Sequence, residues 1–326
     1  MKRTVTEANL NAVLQRERKV VINADLDGIL TGMLLQKYLD WEVAGYSACN
    51  GTLQDELWLT DPDMPLEDAV FTDLPVCLDG VAVIDQHFVA LDNTTVMNYR
   101  ADQNKINPNI MRGYAYRMPD GTGKYFNKYP YNTMQIVLAG LENIGAVGDA
   151  DIMDLGKVIG RYDVADLVLR ADGIIRNMVK YGPNCRDWGV WLEDIGGYNT
   201  AGLLCIVYEE AGSRLDRYGY VEERLRSFGC EGGDGGCSGL FHAGYDAQHN
   251  ERARDNLKRY FSFLEEAVGV MAPHLPEMSP YMRLRGYKLN GLSVDTVDRI
   301  REGLNDGNLF SYAITYRNTV SKTVRL

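Results

Sequence analysis

The sequence predicts an α/β protein: a parallel sheet with helices on both faces, followed by a smaller C-terminal α/β domain. Two patterns carry that expectation. Short apolar runs alternate with amphipathic segments from about residue 19 to residue 85, as βαβ units do. Three of the runs also end in acidic or imidazole side chains. VVINADLDG sets Asp25 and Asp27 after one, VFTDLP sets Asp73 after another, and VAVIDQH sets Asp85 and His87 after a third. Open parallel sheets bind ligands outside the carboxyl ends of their strands, so these groups are expected at one crevice. Carboxylates gathered there repel one another unless a divalent cation compensates their charge. Phosphoester hydrolysis is the chemistry such a site serves best.

In chain order, residues 6–17 read as a short amphipathic helix, KVVIN as a buried strand, and ILTGMLLQKYL as a helix. Gly28 falls between the last two, where a tight strand-to-helix turn needs a residue without Cβ. WEVAGYSA, AVFTD and GVAVID give three further strands. From Leu91 to Tyr131 the chain is rich in Asn, Gly, Pro and Tyr and reads as a long excursion, with a hairpin turn at Asp120-Gly121. Helices are expected at TMQIVLAGLENI, DIMDLGKVIGRY, DVADLVLRADGIIRNMVKY and TAGLLCIVYEEAG. The glycine-dense GCEGGDGGCSG reads as an interdomain linker or as an ordered loop needing positive φ. ERARDNLKRYFSFLEEAVGVM is an amphipathic helix, and the chain finishes with the helix VDTVDRIREGLN and the strands LFSYAITYR and TVSKTVRL. The expected division is a metal-binding domain over 1–205, a linker region over 206–250 and a substrate domain over 251–326.

No run of about 18 apolar residues spans a bilayer, and the charged N-terminal stretch lacks the apolar core of a signal peptide. Six scattered cysteines without close pairs read as reduced thiols, so a cytoplasmic location is expected. The net charge of −11 argues against a protein that coats duplex nucleic acid. From Tyr281 onward, however, eight Lys/Arg face four Asp/Glu, a net of +4 against −15 for the remainder. An acidic body with a basic tail suits a small anionic substrate, although chance clustering on a solvated surface explains it equally well.

Taken singly, Asp25 and Asp27 read either as helix caps or as metal ligands. Two at i and i+2 behind a buried strand and ahead of a glycine favour ligands. Asp73 reads as a turn residue or as a ligand bridging two metals. Asp85 reads as a carboxylate that orients its neighbours by hydrogen bonding. His87 reads as the group that touches a scissile phosphate, or as a histidine satisfied by a backbone carbonyl. His242, His249 and His274 read as structural or solvated. Lys322 and Arg325 are candidate phosphate contacts, or edge-strand charges that discourage aggregation. The Tyr-rich stretch from Tyr114 to Tyr131 stacks on bases or packs beneath a loop.

Over roughly residues 19–170, the order of motifs resembles the DHH phosphoesterase superfamily. That family includes RecJ-like exonucleases, oligoribonucleases, cyclic-dinucleotide phosphodiesterases and family II pyrophosphatases. The resemblance maps its DxD onto Asp25 and Asp27, its lone Asp onto Asp73, its DHH triplet onto Asp85-Gln86-His87, and its last Asp onto Asp163 in GRYDVAD, with Asp154 and Asp166 as competitors. It implies Asp25, Asp27, Asp73 and Asp163 holding one or two Mn²⁺ or Mg²⁺ ions, with His87 and Asp85 at the phosphate. It implies a nucleotide or short single-stranded nucleic acid as substrate, no membrane, and a homodimer as an option. Two positions depart from the pattern: Asn23 stands where the family has His or Asp, and Gln86 where it has the first His of the triplet. Asn23 and Gln86 are therefore expected as weak metal ligands, because neutral amides bind transition metals poorly, which favours Mg²⁺ and disfavours two tightly held ions. RIREGLNDGNLFSYAITYRNTVSKTVRL resembles the family's substrate-gripping domain without its usual glycine–histidine motif, so a truncated second domain is expected, closing on the first through the linker.

The function expected is therefore a divalent-metal-dependent phosphodiesterase or exonuclease. A catalytically degenerate relative that binds nucleotides without cleaving them is the first alternative. A haloacid-dehalogenase-like phosphatase, with Asp25 as nucleophile and Asp27 as acid/base, is the second. It leaves Asp73 and the DQH triplet without a role.

Overall fold

A computed structural model describes residues 5–48, 55–114, 127–148, 152, 178–179, 181–215, 218–231, 236–245, 250–273, 279–290, 294–315 and 319–325. The protein is α/β, with a six-stranded, mostly parallel sheet flanked by helices and a smaller three-stranded antiparallel sheet near the C-terminus. In chain order, α1 (Val5–Val13) leads to β1 (Lys19–Asn23), α2 (Leu26–Leu39), β2 (Glu42–Ala48) and β3 (Glu56–Leu59). Then come β4 (Ala69–Thr72), β5 (Ala82–Ile84), α3 (Asn93–Ala101), β6 (Lys105–Ile106), α4 (Pro108–Arg112) and α5 (Thr133–Asn143). The second half holds α6 (Pro183–Asp194), α7 (Tyr198–Leu215), α8 (Tyr218–Ser227), α9 (Ser238–Tyr245) and α10 (Glu251–Val268). It finishes with β7 (Ser279–Asn290), α11 (Val294–Asn305), β8 (Leu309–Thr315) and β9 (Thr319–Arg325).

The strand order is β6-β5-β4-β1-β2-β3-β7-β9-β8. β1 pairs in parallel with β2 on one side and with β4 on the other, and β4, β5 and β6 continue in parallel. The direction of winding therefore reverses between β1 and β4, and a crevice opens at such a switch point. Asp25 and Asp73 follow the two strands that flank it. β3 runs antiparallel to β2 and hands the ladder to β7, which then pairs with β9.

One face of the parallel sheet presents Val20, Ile22, Val70 and Ile84 to helices including α2, α5 and α10. α2 is apolar nearly all round and buried along most of its length, as befits a helix enclosed between sheet and helices. The other face packs Val21, Leu57, Phe71 and Val83 against Met64, Leu74, Val76 and the C-terminal Leu284 and Phe310.

Several elements differ from the sequence reading. The Leu91–Tyr131 excursion contains α3, β6 and α4. Its Asx residues, which composition reads as loop, are helix caps: Asp92 accepts from Thr95 N at α3, and Asn107 accepts from Asn109 N and Ile110 N at α4. β3, α6 and β7 were also unforeseen. Residues 206–250, expected as a linker region, carry much of α7 together with α8 and α9, and Leu225, Phe228, Leu240 and Phe241 join the main core. The hairpin expected at Asp120-Gly121 and most of the two helices expected between residues 151 and 181 lie outside the described residues.

The C-terminal strands are tied to the segments that follow the motifs. Cys77 N donates to Phe310 O (2.8 Å), Ile314 N donates to Phe88 O (2.8 Å), and Tyr312 Oη donates to Val89 O (2.8 Å). α11 packs Val297 and Ile300 onto this layer beside Phe88, Val89 and Leu91.

Candidate metal centre

Residues 23–28 turn sharply from β1 into α2. Asp25 is the N-cap, its carboxylate accepting from Gly28 N at 2.9 Å. A Cβ on Gly28 would stand 2.3 Å from Asn23 O, so the close return of helix onto strand demands glycine. Asn23 turns its amide toward two acids, donating to Asp25 Oδ2 (2.6 Å) and Asp73 Oδ2 (3.3 Å). It thus acts here as a donor between carboxylates, where the sequence offered it as a ligand.

Asp73 follows β4 with φ 56°, a left-handed conformation that costs energy outside glycine and is enriched at functional sites. Its N–H donates to Ile84 O (3.0 Å), and its Oδ1 accepts from Thr133 Oγ1 (3.2 Å). Its carboxylate shares the Asn23 amide with that of Asp25, which sets the two acids side by side. Burial pushes the Asp25 carboxyl above the ordinary carboxylate range, against bonds from Gly28, Asp73 and Asn23 and the nearby His87. A like charge alongside disfavours ionising both acids, and a positive charge between them would favour it.

Asp85 follows β5 and is fully buried. Its Oδ1 lies 2.6 Å from His87 Nδ1, and its Oδ2 accepts from His87 N (3.0 Å) and Asn107 Nδ2 (3.2 Å). Asn107 also donates to His87 O (2.7 Å), while Asn109 donates to Gln86 O (3.0 Å) and accepts from Tyr129 N (2.7 Å). Two buried asparagines of the INPN segment therefore hold the DQH turn. The sequence reading missed both, although an Asn-Pro-Asn behind Ile106 was a visible capping signal.

His87 Nδ1 stands 3.8 Å from Asp73 Oδ1. Asp73, Asp85 and His87 each offer a ligand atom within 4.8 Å of the others, the one such group among the described residues. The His87 side chain is 28% exposed against 1% for Asp73 and none for Asp85, so histidine is the member that meets solvent. Two carboxylates and an imidazole suit a divalent ion of hard to borderline character.

Asp27 is placed differently. Its Oδ2 accepts from Thr133 N (2.8 Å) and its Oδ1 from Met134 N (2.9 Å), at the start of α5. Gln86 is buried, and its backbone oxygen serves Asn109. Lys322 lies on β9 with its ammonium 5.6 Å from the Tyr287 ring, and Arg325 is exposed at the end of that strand. Asp163, with its competitors Asp154 and Asp166, falls outside the described residues. Part of the glycine-dense segment docks beside the centre: buried Cys237 donates from both N (3.0 Å) and Sγ (3.2 Å) to Ala24 O, and Gly229 has φ 91°. These contacts fit the ordered-loop alternative for that segment. Burial holds the Cys230 thiol at about 12 and pushes that of Cys237 well above its ordinary value, which makes both poor ligands as thiolates. Among the described residues no helix is long and apolar enough to cross a membrane.

No protein-family model matches the chain, and neither a curated protein nor a solved structure matches it.

Proposed function

We propose that the protein is a metal-dependent phosphoesterase acting on short nucleotides or nucleic-acid ends. The observation that carries this reading is the meeting of Asp73, Asp85 and His87 beside Asp25, at the ends of three neighbouring parallel strands and next to the switch point of the sheet. Asp25, Asp73, Asp85 and His87 would hold Mn²⁺ or Mg²⁺. A bound cation supplies a coordinated water acidic enough to ionise near neutral pH, and charge to offset that building on phosphoryl oxygens. Asp85 fixes the His87 ring through Nδ1, so His87, the exposed member, would offer its other ring nitrogen to the cation.

Nucleotide binding without cleavage is the second reading. It is favoured by the Asn23 amide, which spends its donor on Asp25 and Asp73 where a metal ligand would otherwise stand. A haloacid-dehalogenase-like phosphatase is disfavoured because both carboxylate oxygens of Asp27 accept from α5.

Hydrolysis of a chromogenic bis-phosphodiester and of short oligonucleotides, with Mn²⁺ or Mg²⁺, tests the proposal. Turnover that disappears in Asp73→Asn supports the esterase. Nucleotide binding without turnover under either metal establishes the second reading.

A further inference from the structure

We infer that the acid cluster takes one divalent cation, and that Asp27 is a positioning residue for it and not a ligand. The inference rests on the metal-site reading above and narrows it. A DxD pair at the head of a helix invites the assumption that both carboxylates face the same ion. In this chain they face different things. Asp25 caps its own helix and shares the Asn23 amide with Asp73, whereas Asp27 caps a helix more than a hundred residues away.

The Asp27 side chain is buried at 1% exposure, and each of its oxygens accepts from a backbone N–H at the start of α5. Those N–H groups have no partner within their own helix, and the dipole of α5 favours a negative charge at that end. Turning Asp27 toward an ion would strip both buried donors of this acceptor. The protein uses the same device a second time, where Glu142 at the end of α5 accepts from Asn199 N (2.7 Å) and Thr200 N (3.1 Å) of α7. An acid from one helix closing the head of another is thus a repeated packing solution of this fold.

Asp27 still bears on the metal, through Thr133. This residue gives its N–H to Asp27 and its hydroxyl to Asp73 Oδ1, so one residue passes the placement of α5 to the central ligand. With Asp27 committed to the helix, the remaining donors among the described residues are those of Asp25, Asp73, Asp85 and His87. The last three lie within 4.8 Å of one another, a grouping suited to a single ion.

Calorimetric titration of the full chain with Mn²⁺ decides it. One ion per chain is expected. Asp27→Asn should keep that stoichiometry, lower the unfolding midpoint, and weaken affinity roughly 10-fold, as changes behind a metal ligand do. Thr133→Val should weaken Mn²⁺ by a similar factor, and Thr133→Ser, which keeps the hydroxyl, should restore it. Two ions per wild-type chain, with one lost in Asp27→Asn, would overturn the inference while leaving the metal-site reading intact. Unchanged affinity in Thr133→Val overturns the positioning role. A wild-type chain that binds no Mn²⁺ overturns both this inference and the reading beneath it.

Discussion

The imidazole of His87 is locked by the buried carboxylate of Asp85, which touches both its ring nitrogen (2.6 Å) and its backbone N–H (3.0 Å). A ring held at both points keeps one tautomer and one orientation. Asp85→Asn keeps an acceptor for the backbone N–H but loses the charge that fixes the ring. Its Mn²⁺ affinity should fall about 10- to 100-fold, with the fold retained. Calorimetry alongside circular dichroism checks both halves of that expectation.

Asn107 performs two tasks with one side chain. Its oxygen caps α4, and its amide supports Asp85 and the His87 carbonyl. Asn107→Ala removes a helix cap and takes one donor each from Asp85 Oδ2, which keeps His87 N, and from the His87 carbonyl. The combined cost should be about 2–4 kcal/mol, measurable by denaturant unfolding.

Gly28 is a case of close approach. A methyl there meets Asn23 O at 2.3 Å and Asn23 N at 2.7 Å, and both are backbone atoms that cannot swing aside. Gly28→Ala should destabilise the chain by roughly 1–3 kcal/mol and disturb the cap at Asp25. A thermal melt with and without Mn²⁺ separates the two effects, since only the second alters the stabilisation conferred by metal.

Asp92 links α3 to α11 by capping the first helix and pairing with Arg301 on the second. Burial works to raise its carboxyl, but the Thr95 N–H and hydroxyl and the Arg301 charge outweigh it and hold Asp92 below the ordinary range. A carboxyl lowered by folding contributes stability above its unfolded value, and that contribution is lost as pH falls through the folded one. Asp92→Asn should therefore cost about 0.5–1 kcal/mol at neutral pH, and the gap from wild type should close in acid. Urea midpoints measured from pH 7 down to pH 3 test the convergence.

Much of the parallel sheet could be read from the chain because its strands are continuous apolar runs and its helices are long and periodic. KVVIN, AVFTD, ILTGMLLQKYL and ERARDNLKRYFSFLEEAVGVM all stand close to where periodicity put them. α3 and α4 escaped because their Asx caps look like loop residues when only composition is weighed. β7 escaped because Gly286 and three basic residues interrupt its apolar pattern. At the site, Asp25, Asp73, Asp85 and His87 were recognisable as polar groups stranded at strand ends, and they do gather. Asp27 looked equivalent to Asp25 because spacing along the chain cannot tell which partner a carboxylate meets. Its partner, the head of α5, is brought to it by tertiary packing. Thr133 was invisible for the same reason, whereas Asn107 and Asn109 carried a capping pattern that composition alone passes over.

Strand β7 has a consequence for how any ligand gains access. It leaves the first sheet at β3 and enters the second at β9 as one uninterrupted backbone of twelve residues. A jaw welded to its anvil cannot swing, and here the weld is a ladder of amide bonds reinforced where β8 grips Phe88. Under the proposed function, discrimination between long and short molecules would then rest with side chains near His87 and not with a closing movement of the backbone.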